Sequence, residues 1–156
     1  MIPSFQPNSS PNVAMFEPNA STTDIGSPDA AGLLPGEISS GPEPSNSALW
    51  FSTHQLWITC ENPTEDFCMI SYTMMVWDAD TQSTRQVKGG RSAIPPCPGN
   101  RCGLFPNTEA VAGNALTSFQ IQATVNGQPV PFYLDSFAMS WSDNSCEAAE
   151  ERTHIH

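Results

Sequence analysis

Lysine is almost missing from this sequence. Lys88 is the only one, and with four arginines it faces 16 Asp and Glu residues, for a formal charge of −11. A nucleic-acid binder needs a basic footprint, and here a phosphate backbone would be repelled. An anionic membrane surface is disfavoured for the same reason. The acidity reads first as solubility, and it leaves neutral or cationic partners. No run of 18 apolar residues occurs, so no membrane insertion by a helix is expected. The opening MIPSFQPNSS has neither a basic nor an apolar leader region, so no secretion signal is visible. A nucleophilic triad needs a histidine near Ser or Cys. There are three histidines, one in a predicted strand (His54) and two in the last three residues (His154, His156), and G-x-S-x-G is absent. A glycosidase needs two carboxylates across a cleft, and the sequence singles out no pair. The expectation is a chain that is not an enzyme.

What is present is uneven. Between Met1 and Asn46 lie eight prolines (3, 7, 11, 18, 28, 35, 42, 44) among Ser, Asn and Gly, with no alternating apolar run. All four tryptophans, both tyrosines and all five cysteines fall between Ala48 and Cys146. The expected organisation is a Pro/Ser/Asn-rich linker or loop-rich lead-in at 1–47, a β-sandwich at 48–152 and a frayed tail at 153–156. The lead-in is either partly disordered or supplies edge strands.

From Ala48 onward the pattern is β. ALWFST and QLWIT read as one long strand or two broken near His54. MISYTMMVW carries Ile70, Tyr72, Met74 and Val76 on one face, and the DADTQS turn returns it into TRQVK. TSFQIQATV alternates, with Phe119, Ile121, Ala123 and Val125 inward, and runs into Asn126-Gly127, a strong hairpin signal. PVPFYLDSFAMSW then returns, with Tyr133, Asp135, Phe137, Met139 and Trp141 expected on the core face. The tail EAAEER has room for a turn or two of helix. Short strands, hairpins and disulfides predict an all-β fold, an antiparallel β-sandwich of jelly-roll type.

Five cysteines in so small a domain predict disulfides and an oxidising, extracellular compartment. Local pairing, Cys60–Cys68 and Cys97–Cys102, is the economical choice among 15 two-bridge connectivities. It leaves Cys146 over. A zinc site from Cys97, Cys102 and a histidine is the weaker rival. Sequons at Asn8 and Asn19 agree with secretion. Since no leader is visible, the expectation is a fragment, or a mis-started reading, of a secreted or cell-wall protein.

The succession ALWF, C-x7-C, PPC-x4-C-x-L, FQIQA, FYLDSFAMSWSDNSC and Arg152 resembles a fungal secreted domain family of unknown function. The resemblance covers roughly Ala48 to Arg152, and the W-S-x-N-x-C ending is its most specific part. It implies a secreted module beside Ser/Thr/Pro-rich segments with no established activity. The final strand is also loosely similar to those of galactose-binding-like and carbohydrate-binding-module jelly rolls, a likeness of fold.

An ionised Asp135 on a core face needs a partner. Loop amides, Arg101 or Arg152 are the expected ones, with a structural calcium at Asp135 as the alternative to an otherwise cofactor-free domain. For function, two readings follow. One is a non-catalytic module for cell-wall polysaccharide, with Trp77 as a stacking surface and Gln120 and Gln122 as a hydrogen-bonding stripe. The other is a structural or adhesive domain that meets another surface protein and has no small-molecule site. A glycan-active hydrolase ranks below both.

Overall fold

The computed structural model describes residues 14–16, 36–62, 64–97, 102–107 and 112–154. Among these residues ten strands, a 3-10 turn at Ser47–Leu49 and one α-helix are formed: β1 (Ala14–Phe16), β2 (Glu37–Ser39), β3 (Phe51–Cys60), β4 (Cys68–Asp78), β5 (Ser83–Ile94), β6 (Phe105–Asn107), β7 (Gly113–Leu116), β8 (Ser118–Val125), β9 (Gln128–Pro129), β10 (Phe132–Trp141) and α1 (Cys146–Thr153). All pairings are antiparallel. They form two five-stranded sheets, one ordered β1-β10-β3-β6 with β7 also on β3, the other β2-β8-β4-β5 with β9 on β8.

The pairings are nested. β4 pairs β5, β3 pairs β6 and β7, β2 pairs β8, and β1 pairs β10. This is a long hairpin rolled into two packed layers, the jelly roll expected from the strand pattern. β6 and β7 are one strand's worth of pairing divided along β3, at Leu56–Ile58 and at Phe51–Thr53.

Period-two alternation builds the core between the sheets. β8 buries Phe119, Ile121, Ala123 and Val125; β4 contributes Cys68, Ile70 and Met74; β3 gives Phe51, Leu56, Ile58 and Cys60. Cys60–Cys68 joins the end of β3 to the start of β4, one sheet to the other, inside this core. Lys88 closes an open side, its ammonium donating to the Ala112 carbonyl just before β7 at 3.1 Å.

The lead-in is not merely a linker, and the sandwich does not start at Ala48. β1 and β2 are edge strands, one on each sheet, with Phe16 stacked on Phe132 at 5.1 Å. Gly36 makes the second docking feasible. Its φ is +71°, and a Cβ there would collide with the carbonyl oxygen of Ile121, whose own N–H donates to the Gly36 carbonyl. His54 does not break β3, which runs unbroken for 10 residues.

Two expectations for the chain's end are corrected. The Asn126-Gly127 turn forms, both residues having positive φ, but its returning strand is the two-residue β9. β10 then leaves for the other sheet and pairs β3 and β1. The expected core face of β10 holds at Phe137 but fails at Tyr133 and Asp135. Phe132 and Leu134 face the core, so Tyr133 and Asp135 face outward. A bulge between Asp135 and Ala138, with Ser136 at φ +50°, resets the alternation and returns Phe137 to the core against Phe119. Met139 and Trp141 are 40% and 46% exposed.

Candidate functional site

Two outer sheet faces result, and the chain treats them differently. On the β10–β3 face, Tyr133 pairs across with Thr59 and Asp135 with Trp57. The Cys97–Cys102 disulfide and Leu104 fold over them, making a second small apolar cluster with Tyr133, against which Trp57 packs. The Tyr133 hydroxyl donates to Glu61 Oε2 at 3.3 Å, and Ser136 Oγ donates to Asp135 Oδ1 at 3.2 Å. Asp135 is buried as expected, but on this outer face, across from Trp57, rather than between the sheets.

Arg152 is not its partner. The Arg152 guanidinium donates to the carbonyls of Ala48 and Asp143 and lies 4.8 Å over the Trp141 ring. Arg101 lies outside the described residues. Among the described residues no three His, Cys, Asp or Glu side chains converge as metal ligands. Cys97 and Cys102 are bonded to each other, which removes them as zinc ligands. DADT holds its own turn, the amides of Asp80 and Thr81 donating to Asp78 Oδ1 and Arg85 pairing with Asp78 at 3.1 Å.

Among the described residues no strand or helix covers the outer face of the β2-β8-β4-β5 sheet. Cross-strand register sets its rows: Glu37, Gln120, Thr73 and Gly89 form one, with Gln122, Ser71 and Arg91 beside it. A groove of about 330 Å³ runs over this face, and Thr73 and Met75 of β4, Gln120 of β8 and Glu37 of β2 line it. Its rim is the segment 41–44. The Trp50 indole N–H holds the Pro44 carbonyl at 2.9 Å, and Ser39 Oγ accepts from the Gly41 amide at 3.1 Å. Ser118 Oγ donates to Glu37 Oε1 at 2.6 Å, fixing the carboxylate at one side. Two lining groups, Thr117 Oγ1 and Gln120 Nε2, are buried with no hydrogen-bond partner. Such a group costs about 1–3 kcal/mol, so the wall of the groove carries unsatisfied polar atoms just beneath its surface.

Of the residues expected from sequence, Gln120 lines this groove and Trp77 and Gln122 share its sheet face without lining it. Trp77 pairs with Thr84, itself a lining residue. Thr73 and Met75 were missed, although the period that turned Trp77 outward turns them outward too. Glu37 had no signal, because proline and glycine surround the three-residue strand that carries it. Asn8 and Asn19 lie outside the described residues.

The SWSDNSC ending is a docking device for α1. Ser142 Oγ bridges Ser52 Oγ and the Ala115 amide, Asn144 donates to the Trp141 carbonyl, and Ser145 caps the helix by accepting from the Ala148 amide. Asp143 accepts from the Ser145 amide at 2.8 Å, and this bond, then the Ser145 hydroxyl, then Arg152, hold its carboxyl below the ordinary aspartate range. Cys146 is a free, exposed thiol.

Fold and surface together define a disulfide-stapled β-sandwich module with one covered and one grooved face. Residues 2–152 match the domain family of unknown function DUF7371, and the chain belongs to that family. No curated protein and no solved structure matches it.

Proposed function

We propose that the chain is a non-catalytic extracellular module of a fungal secreted or cell-surface protein, and that its grooved sheet face binds cell-wall polysaccharide. One observation carries this reading: an open groove is bordered by the hydroxyl residues Ser39, Thr73, Thr84 and Ser118, and Gln120 Nε2 and Thr117 Oγ1 lie unpartnered in its wall. A sugar's hydroxyls match that set as both donors and acceptors. Met75 on the groove wall and Trp77 farther along the face give apolar surface for ring faces. The two disulfides fit a secreted protein. Glu37 is the one carboxylate among the described lining residues, whereas hydrolysis needs two, so binding is favoured over turnover.

The rival is a structural or adhesive domain without a sugar site, which the exposed thiol of Cys146 favours. Retention on insoluble chitin, β-glucan and mannan discriminates the two. Specific retention that Gln120→Ala weakens about tenfold supports the groove. Failure on all polymers, by a sample with intact disulfides, supports the adhesive reading.

A further inference from the structure

The cations of this chain are few, and most of those described are committed to the fold. Arg85 pairs with Asp78, Lys88 bonds the Ala112 carbonyl, and Arg152 bonds two carbonyls over Trp141. Arg91 differs. It is exposed, and among the described residues it forms no hydrogen bond or ion pair. It stands on the grooved face of β5, opposite Ser71, which is itself opposite Gln122. That row lies one pleat repeat, about 6.7 Å, from the row of Thr73 and Gln120 in the groove. On β5 the groove row ends at Gly89, over which the Gln86 side-chain amide lies, one pleat repeat from Arg91. An arginine in this setting is a planar, two-pronged donor, the geometry that matches a carboxylate.

We infer that the ligand is an acidic glycan, with a uronate carboxylate held by Arg91 beside Ser71 and Gln122 while a neighbouring ring occupies the groove over Thr73 and Gln120. This rests on the reading of the groove as a glycan site. Glu37, fixed by Ser118 at the β2 side, keeps the carboxylate away from that edge and sets the direction in which the ligand lies. The overall charge favours neutral or cationic partners at long range. At physiological ionic strength that repulsion is screened beyond about 8 Å, whereas a two-pronged contact is local.

The test is affinity measurement on three polyuronates (polygalacturonate, glucuronan and alginate) and on their carboxyl-reduced, neutral forms. The intact chain should bind at least one polyuronate about tenfold more tightly than its reduced form. Arg91→Ala should abolish that ratio, Arg91→Lys should keep part of it, and neither should change binding to the reduced polymer or the melting temperature. If the reduced forms bind as well as the acids, or if Arg91→Ala leaves the ratio intact, the carboxylate contact is wrong and the groove stands. If no polymer binds, acidic or neutral, both readings fall.

Discussion

The two outer faces of this sandwich start from the same material, alternating strands with every second residue turned away from the core. One is then roofed by the protein itself. Over β10 and β3, the Cys97–Cys102 disulfide and Leu104 cover Tyr133, and Thr59 beside it is wholly buried. The other, over β8 and β4, carries no second layer among the described residues, and a groove runs along it. Both faces carry a hydroxyl without a partner, Thr59 Oγ1 under the roof and Thr117 Oγ1 in the groove. Thr59 and Thr117 are both buried, so the unpartnered hydroxyls do not tell the faces apart, and it is the space of the groove that suggests a ligand.

The comparison breaks most severely if β10 is turned over. Leu134 faces the shared core and is 4% exposed, so Leu134→Ala should cost about 3 kcal/mol. Asp135→Ala, on the roofed face, should cost about 2 kcal/mol by leaving buried polar groups unmatched. Chemical denaturation of both variants checks the order. An Asp135→Ala variant as stable as the parent would mean that the face is not roofed.

Opening the roof is next. Cys97→Ser with Cys102→Ser removes a short crosslink, whose loss should cost about 2 kcal/mol. Hydrogen exchange should quicken in β10 and β3 around Tyr133 and stay unchanged in β8 and β4. Faster exchange in both sheets would show that the loop stabilises the whole sandwich rather than one face.

On the open face the expected effects change sign. Gln120→Leu removes a buried donor that has no acceptor, so stability should hold or rise by up to about 1 kcal/mol while polysaccharide retention is lost. Thermal melting and retention on the same samples check this. A variant that loses stability would show that Gln120 supports the fold, and the groove would lose its principal donor.

Where a residue's surroundings are local, the sequence already carried the answer. The alternation of TSFQIQATV sets which side of β8 is buried, and the short spacing of Cys60 and Cys68 sets their bond. Trp77, Gln120 and Gln122 fall on one face for the same reason. What stayed hidden depended on distant partners. Nothing in FYLDSFAMSW marks the bulge at Ser136, where a serine takes a positive φ that usually falls to Gly, Asn or Asp, yet that bulge decides which half of β10 faces inward. With only the apolar count to go on, Tyr133 goes to the core, because a roof made by Cys97, Cys102 and Leu104 is invisible locally. β2 is hidden likewise. Its three residues sit among prolines and become a strand only because β8 offers an edge and Gly36 lets the chain approach it.

The smallest expected effect concerns the end of the sandwich that neither face includes. Asp143 is fully exposed, and its carboxyl is held below the ordinary aspartate range first by the Ser145 amide, then by the Ser145 hydroxyl and Arg152. A carboxyl depressed on folding stabilises the folded form above the unfolded value, and that contribution disappears as pH falls through the folded value. The docking of α1 should therefore loosen only in acid, below the ordinary aspartate value of about 3.9. Arg152 lies over Trp141, so the Trp141 indole proton resonance reports the event. It should shift on acid titration in the parent and lose that step in Asp143→Asn, while the indole of Trp57, on the roofed face, does not follow it. If both indoles move together, the acid transition is a loosening of the whole sandwich, and the end cap is not an independent unit.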